Sequence, residues 1–239
     1  MKFDDARKLN QKKYRTLHRH FLVEGEHLLQ ELEKAALTQP RLKQSTVFVT
    51  ERFAGVATSL PVQVISEKQM KQISGTQTPQ GIIAAVPFPE KRPPQTGEKA
   101  IYLYEVQDPG NLGTIIRTLV WFGGFRLLLS PNSVDPYNDK VVRSSMGAIF
   151  HVPLETEVDL ATLPERFPRT ACLDMQGQPL SSGGFDGYDC YLFGNEARGV
   201  PGDALQAAGA EAWTIPGSGL IESLNLASAV NLSVWEIKR

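Results

Sequence analysis

The chain has 239 residues, of which 41% are hydrophobic and 21% are charged, and its formal net charge is −1. This composition is typical of a globular protein with one large domain or two smaller ones, and no apolar run approaches the ~18 residues that cross a membrane. The N-terminal stretch lacks the apolar core of a secretion signal, and the only cysteines, Cys172 and Cys190, match no metal-ligand spacing, so we expect two buried thiols in a cytoplasmic protein.

The beginning of the chain is basic. Residues 1–20 hold seven Lys or Arg side chains and two Asp side chains, and residues 3–20 are predicted to form a basic helix. Such a locally basic end on a mildly acidic protein is typical of a phosphate-binding arm. A solvated amphipathic helix accounts for the same charge pattern equally well. His18 and His20 do not share a helix face at a spacing of two, so no metal site is predicted there.

The first part of the chain alternates short apolar runs with helical patterns, which predicts a small α/β domain. The predicted strands are 21–23, 46–50, 62–65 and 82–86. Ser66 is a suitable N-cap for a short helix that follows it. A charged stretch with four prolines comes next and is typical of a stiff exposed linker. We therefore predict one domain over 1–88, a linker over 89–99 and a second domain over 100–239.

Strands and helices alternate again in the second domain, which predicts a mostly parallel sheet covered on both faces. The predicted strands are 101–106, 126–129, one starting at 151, 170–173, 190–193 and 212–215. Helices are predicted over 139–145 and from about 222 to 237. The last helix is apolar almost all round, so we expect it to be buried on several sides.

The stretch from Tyr104 to Gly124 combines the end of a strand, a polar turn over 108–111 and a helix. Apolar residues of that helix recur at i, i+3, i+4, i+7 and i+8, which defines one buried stripe. Arg117 lies roughly 140° from Leu112 at ~100° per residue, well off the stripe. A loop Asn111 and a helical Arg117 therefore follow the carboxyl end of a strand, where open α/β sheets bind ligands. The alternative is that Arg117 is an ordinary solvated side chain.

Two later stretches also follow strands. In the first, Gly194 permits close approach of a ligand to the backbone, and Glu196 and Arg198 either pair with each other or order the loop around a substrate. In the second, residues 215–225, a glycine-rich turn precedes the last helix. This turn lacks the third glycine and the following βαβ unit of a dinucleotide fingerprint, so an oxidoreductase is a remote interpretation.

Together, in this order, the three stretches resemble the three motifs of the SpoU/TrmH family of RNA ribose 2′-O-methyltransferases. The matching residues are Asn111, Gly113 and Arg117 in the first, Gly194, Glu196 and Gly199 in the second, and Ile215, Pro216, Ser223, Leu224 and Asn225 in the third. The resemblance covers about residues 100–239, with Gly217 where the family usually has Met. The segment QKKYRTLHRHFLVEGEHLL resembles the substrate-binding domain of the ribosomal-RNA branch, which has an L7Ae/L30e-like fold.

The resemblance implies a SPOUT α/β-knot fold with a deep trefoil knot, a homodimer, no metal, and S-adenosylmethionine as the methyl donor. Gly194, Ile215 and Leu224 would bind the cofactor. The catalytic set would be Arg117, Asn111, Glu196, Ser223 and Asn225. Arg117 either takes the proton of the 2′-hydroxyl, as proposed for the family, or grips the adjacent phosphate while another group takes the proton, because a guanidinium holds its own proton tightly.

The N-terminal domain would bind the RNA, with Lys12, Lys13, Arg15 and Arg19 as phosphate contacts that position without reading sequence. The expected function is ribose methylation of ribosomal RNA. Two alternatives remain at this point: a tRNA 2′-O-methyltransferase of the same family, and a non-catalytic RNA-binding assembly factor on the same fold.

Overall fold

The computed structural model describes the whole chain, Met1–Arg239. The helices are α1 (Phe3–Ala6), α2 (Lys12–His18), α3 (Glu26–Thr38), α4 (Glu67–Ile73), α5 (Pro109–Phe122), α6 (Asp139–Ser145), α7 (Leu163–Arg166), α8 (Gly202–Ala207) and α9 (Leu226–Lys238). The strands are β1 (His20–Glu24), β2 (Thr46–Val49), β3 (Val62–Val64), β4 (Ile82–Pro87), β5 (Lys99–Leu103), β6 (Phe125–Leu129), β7 (Leu154–Glu155), β8 (Thr170–Pro179), β9 (Cys190–Phe193) and β10 (Glu211–Thr214). None of these helices has the length and apolar character that a bilayer span requires.

The chain forms two compact units. The first comprises Met1–Lys91 and Asp135–His151, and the second comprises Arg92–Val134 and Val152–Arg239. One segment from the second half of the sequence therefore belongs to the first unit. The predicted domains, 1–88 and 100–239, are consecutive and therefore group this segment with the second half of the sequence.

The first unit is built on a four-stranded sheet in the order β1-β4-β2-β3. Strand β4 is antiparallel to both β1 and β2, and β2 is parallel to β3. Phe21, Phe48 and Val86 are buried in this sheet. The predicted small α/β domain is confirmed, and its L7Ae/L30e-like character stays a prediction of the resemblance.

The N-terminal segment is not the single helix that its charge pattern predicts. A 3-10 turn, Arg7–Asn10, separates α1 from α2. Gln11 adopts an extended backbone (φ −104°, ψ 132°), and Arg19 ends α2 in the left-handed region at φ 57°. The prediction of one helix over 3–20 was wrong because surface charge constrains helix breaks weakly compared with the burial of Leu9 and other side chains beneath the turn.

The segment that returns to the first unit is held by an aromatic cluster and an ion pair. The Tyr137 ring stacks on Phe88 with centroids 4.1 Å apart and lies 4.9 Å from the ring of Phe21. Arg15 Nη2 lies 2.6 Å from Asp135 Oδ2, and both side chains are largely buried, at 7% and 13% exposure. Close packing and a shielded charge pair therefore join stretches that are more than a hundred residues apart in sequence.

The second unit contains a six-stranded sheet in the order β10-β8-β9-β5-β6-β7. Every neighbouring pair is parallel, and the central strands β5, β6 and β9 are almost entirely buried, as strands covered on both faces must be. The predicted parallel sheet is confirmed. The trefoil knot stays a prediction of the resemblance. Because the strands are parallel, the segments that follow β5, β9 and β10 emerge at one edge.

Two predicted elements were wrong in this half of the sequence. Residues 148–150 form a 3-10 turn and β7 spans only Leu154–Glu155, so no strand starts at 151. Helix α9 begins at Leu226, four residues after the predicted start, because Asn225 caps it. Its apolar surface is also not fully covered, since Leu232 and Trp235 are 46% and 57% exposed.

The two cysteines are free and buried, which confirms the prediction of two thiols. Burial raises the pKa of Cys172 and of Cys190 to about 12. Both thiols are therefore protonated at neutral pH, which makes them poor nucleophiles.

We predict that Arg15→Ala destabilises the protein by roughly 3–5 kcal/mol, because it leaves the Asp135 carboxylate largely buried without its cation. Chemical denaturation followed by circular dichroism measures the change. The exposed Lys13→Ala on the same helix is the matched control, expected within about 0.5 kcal/mol of the parent. Equal stabilities of the two variants would contradict the structural role of Arg15.

Candidate active site

Four segments meet at the carboxyl edge of the six-stranded sheet. Three of them follow β5, β9 and β10. The fourth is an irregular part of β8, where the pairing with β10 jumps from Cys172 to Gln178. These segments enclose two adjoining cavities within the second unit.

The first cavity has largely apolar walls and two carboxylates. The cavity is lined by Leu173, Asp174, Met175, Phe193, Gly194, Asn195, Glu196, Gly199, Thr214, Ile215, Ser223, Leu224, Leu226 and Ala229. The three residues predicted to bind a cofactor, Gly194, Ile215 and Leu224, all lie in this wall. Its charged side chains are Asp174 and Glu196, and no Lys, Arg or His is among the lining residues. The cavity therefore suits a ligand that is partly apolar and carries positive charge.

The second cavity adjoins the first and is more polar. It is lined by Gln107, Asp108, Asn111, Asn195, Glu196, Ala197, Ser223, Leu224, Asn225 and Leu226. Glu196 and Ser223 line both cavities, so they lie where a ligand in one would approach a ligand in the other. Four of the five predicted catalytic residues are thus gathered here, and Arg117 is the exception.

A short chain of hydrogen bonds joins the three sequence stretches. The Asn111 side-chain Nδ2 donates to Glu196 Oε1 at 3.2 Å, and Asn225 Nδ2 donates to Asn111 Oδ1 at 2.8 Å. The backbone N–H groups of Gln107 and Asp108 lie 3.4 Å from the Glu196 carboxylate oxygens. Glu196 therefore accepts only from neutral donors, and Asn111 is held at both ends of its amide.

Helix caps place the two asparagines. Asp108 accepts a hydrogen bond from the backbone N of Asn111 at 2.7 Å, so α5 begins at Pro109 and Asn111 lies in its first turn. The turn predicted over 108–111 is thus already helical from Pro109. Asn225 Oδ1 accepts from the backbone N–H groups of Ala227 and Ser228, which starts α9. Because its Oδ1 is used as the cap, its Nδ2 is left to reach Asn111.

Close contact between chain segments explains the glycine at the start of the second motif. A Cβ on Gly194 would lie 2.5 Å from the carbonyl carbon of Gly199, and Asn195 and Gly199 exchange two backbone hydrogen bonds. The tight loop by itself therefore requires a glycine at this position, whether or not a ligand approaches the backbone there. Arg198 pairs with Glu105 at 2.7 Å, so Glu196 is not neutralised by its neighbour.

Arg117 is not brought to either cavity. It is exposed, lines neither pocket, and lies about 120° around α5 from Asn111 at ~100° per residue. It shares its exposed face with Trp121, which is 84% exposed. The structure of one chain therefore separates the predicted catalytic arginine from the other four residues.

Sequence reasoning missed the contribution of β8 to the first cavity. Asp174 and Met175 lie in the part of β8 where the pairing with β10 is interrupted. The available signal was Gly177, since a glycine within a strand pattern indicates a bulge or a close backbone approach. A Cβ there would lie 2.3 Å from the backbone N of Trp213.

The basic residues predicted to contact RNA fall into two groups. Lys12, Lys13 and Arg19 are exposed, and the Arg19 guanidinium lies 5.1 Å from the Phe88 ring centroid. Arg15 is only 6% exposed and is bound to Asp135. Its guanidinium is committed to the fold, which corrects its assignment as a phosphate contact. The structure contains no cluster of three or more His, Cys, Asp or Glu side chains that could hold a metal ion.

Comparisons with known proteins match both parts of the chain. The model of the SpoU rRNA Methylase family matches residues 98–235, and the model of the MRM3-like substrate binding domain matches residues 3–84. The 23S rRNA (guanosine(2553)-2′-O)-methyltransferase RlmP of Bacillus subtilis is 32% identical and aligns over 99% of this chain and 96% of its own length. The crystal structure of an AdoMet-bound rRNA methyltransferase from Sinorhizobium meliloti is 28% identical, with a TM-score of 0.80 over 98% of this chain and 93% of that one.

We predict that Asn225→Ala destabilises the protein by about 1 kcal/mol, because two N–H groups of α9 lose their cap. Asn225→Asp is the matched control. It keeps the capping oxygen and adds a negative charge at a helix N-terminus but loses the N–H donor to Asn111, so it should lose less stability than Asn225→Ala. Thermal unfolding of the three proteins measures the difference, and equal losses in both variants would show that the Asn111 bond, rather than the cap, is the stabilising contact.

Proposed function

Because the chain belongs to the SpoU rRNA methylase family, we propose that it transfers a methyl group from S-adenosylmethionine to a ribose 2′-hydroxyl of ribosomal RNA. The resemblance noted in the sequence is confirmed by the family match and by the relatives. The chain is an RNA 2′-O-methyltransferase. The observation that carries the proposal is the pair of adjoining cavities, one suited to the methyl donor and one suited to the acceptor, with Glu196 and Ser223 between them.

The first cavity fits S-adenosylmethionine by its chemistry. Apolar walls from Ile215, Leu224 and Met175 suit an adenine ring and a thioether chain. Carboxylates without a neighbouring cation suit a ligand with a sulfonium and an ammonium group. When bound, the cofactor supplies a methyl group that is already activated for displacement.

On the donor side, the loops after β9 and β10 hold the cofactor mainly through their backbone, with Gly194, Ile215 and Leu224 as contacts. Asp174 provides the carboxylate on the side of β8. The tight turn between Asn195 and Gly199 fixes the backbone that faces the cofactor. These loops therefore position the donor and limit access of water, which is the main demand that a direct displacement makes on a protein.

On the acceptor side, Asn111, Asn225 and Ser223 orient the ribose. Glu196, accepting hydrogen bonds from neutral donors only, keeps a negative charge next to the acceptor and positions Asn111. The second cavity has no basic lining residue, so a phosphate needs a cation from outside it. Arg117 fills that role in the proposal by gripping the phosphate, while another group or a water molecule takes the hydroxyl proton.

The first unit binds the RNA. Its match to a substrate-binding domain and its exposed Lys12, Lys13 and Arg19 support this assignment, because cations on one surface supply sequence-independent affinity for phosphates. With ribosomal RNA as the substrate, we expect a cytoplasmic location.

The functional form is a homodimer that associates through α5 and α9. These helices lie side by side, with Thr118 hydrogen-bonded to Asn231 and the rings of Phe122 and Trp235 6.1 Å apart. Trp121 next to this contact is 84% exposed, and adjacent exposed tryptophans are typical of protein interfaces rather than of free surfaces. Arg117 shares this face, so a dimer formed here places Arg117 at the subunit boundary, where it can complete an acceptor cavity.

We predict label transfer from radiolabelled S-adenosylmethionine to large-subunit ribosomal RNA, at a phosphodiester that then resists alkaline cleavage. Arg117→Ala should reduce this transfer by about 100-fold or more, the range of one general acid–base or positioning group. Because Arg117 lines neither cavity, calorimetry should show unchanged cofactor affinity. The exposed Lys43→Ala is the control for loss of a remote positive charge.

Other outcomes would overturn parts of this proposal. Label confined to transfer RNA would show that transfer RNA, and not ribosomal RNA, is the substrate. Undiminished turnover of Arg117→Ala would show that Arg117 has no role in methyl transfer. Cofactor binding without label in any RNA, including ribosome assembly intermediates, would favour a non-catalytic assembly factor.

We predict that Trp235→Glu shifts the protein from dimer to monomer, because it places a charge in the apolar α5–α9 face. Sedimentation velocity over a concentration series measures the change. Leu37→Glu is the matched control, since Leu37 is 80% exposed on α3 of the other unit. A monomeric parent protein, or a Trp235→Glu variant that still dimerises, would exclude this interface.

A further inference from the structure

A surface depression on the first unit lies next to the start of the basic helix α2. It is lined by Arg7, Lys8, Gln11, Tyr14 and Gln72. The set combines one aromatic ring, two cations and two carboxamides. Each of these groups has a partner on a nucleotide, because bases stack on rings, phosphates pair with cations and base edges bond to amides.

Cations flank the ring of Tyr14. Lys8 Nζ lies 6.0 Å and Lys13 Nζ 5.7 Å from the ring centroid. The His18 ring stacks near it, with centroids 6.4 Å apart and planes inclined by 20°. Tyr14 is half-buried, so its ring is partly fixed by these neighbours and still presents surface to solvent. A partly fixed aromatic ring gives a stacking platform at low cost in conformational entropy.

The wall of the depression is held rigidly from beneath. Asn10 Nδ2 donates to the carbonyl oxygen of Ile73 at the end of α4, which joins the 3-10 turn to the helix that carries Gln72. Arg15 Nη1 donates to the carbonyl oxygen of Leu9 at 2.7 Å. The buried arginine therefore fixes the turn that precedes the helix of Tyr14.

The cations at this site are only loosely committed to other groups. Lys8 pairs with Asp5, and Arg7 pairs with Asp4, in contacts whose side chains are all 40% exposed or more. Exposed pairs of this kind contribute little and exchange readily for a phosphate. Lys13 forms no ion pair with a carboxylate, and its Nζ lies over the Tyr14 ring.

We propose that this depression binds one unpaired RNA nucleotide, with its base stacked on Tyr14, its phosphate between Lys8 and Lys13, and its base edge facing Gln11 and Gln72. The inference rests on the proposed function in taking RNA as the ligand. It adds a specific contact to what would otherwise be a diffuse basic surface. A nucleotide held here sets how the rest of the RNA is directed, and one unpaired base is what structured RNA offers for such a contact.

The test compares two fluorescently labelled strands, an oligoadenylate and a strand of equal length with abasic riboses. The full-length protein should bind the oligoadenylate more tightly. Tyr14→Ala should weaken oligoadenylate binding by about tenfold, within the range for one stacked base, and should leave binding of the abasic strand unchanged. Tyr14→Phe keeps the ring and should bind like the parent protein.

The salt dependence of binding separates stacking from charge. Lys13→Ala should reduce the slope of log affinity against log salt by about 0.7, the value for one phosphate on a single strand. Tyr14→Ala should leave that slope unchanged. Lys43→Ala, remote from the depression, is the control for charge.

Several results would overturn the proposal. They are equal affinities of parent and Tyr14→Ala for oligoadenylate, an equal loss on both strands, and no measurable binding of oligoadenylate by the parent. If Tyr14→Ala does not fold, Tyr14→Leu keeps the apolar bulk and carries the same expectation. The proposed methyl transfer is tested separately. A parent protein that methylates ribosomal RNA but binds both strands equally would refute only this inference, and base-dependent binding without methylation would refute only the enzyme.

Discussion

One chain of hydrogen bonds, from the Glu196 carboxylate through Asn111 to Asn225, is the interaction on which the candidate active site depends. It joins the segments that follow β5, β9 and β10. Each of the two asparagines is also fixed by the start of a helix, through the cap at Asp108 for one and through its own capping oxygen for the other. Polar side chains that would otherwise be flexible are thus held by the backbone of rigid elements, which is the arrangement that catalysis by positioning requires.

The two cavities on either side of this hydrogen-bond chain differ in the charged residues that line them. The carboxylates in the first cavity have no cationic partner among its lining residues and suit a positively charged ligand. No basic residue lines the second cavity, so a phosphate bound there would need a cation from elsewhere. Exposed cations are found on α2 in the first unit and at Arg117 on the exposed face of α5. In the proposed function, RNA binding and binding of the methyl donor therefore fall to separate surfaces with opposite charge.

Burial explains which basic side chains are available for phosphate contacts and which are not. Arg15 lies in the same short basic helix as Lys12 and Lys13, yet it is buried and bound to Asp135, more than a hundred residues further along the chain. Sequence charge alone gives these three residues equal weight. A helix this short has only one side facing the core, and the residue on that side becomes structural.

The sequence by itself determined the parallel α/β sheet, the small N-terminal α/β domain, the buried thiols and the family to which the three motifs belong. Hydrophobic periodicity and motif spacing are local properties and can be recognised without coordinates. It also identified Gly194, Ile215 and Leu224, which do line one cavity. Only the tertiary structure decided which elements the returning segment joins, where α9 begins and how the motifs meet.

Asp174 and Arg117 show most directly which features a sequence pattern cannot predict. The first enters the donor cavity through a break in the pairing of β8 and β10, and the second is turned away from the cavities by its angle around α5. Neither position follows from residue type or spacing, because both depend on the register of non-adjacent strands and on which helix face packs inward. Those are properties of contacts between distant parts of the chain, and they exist only once the chain has folded.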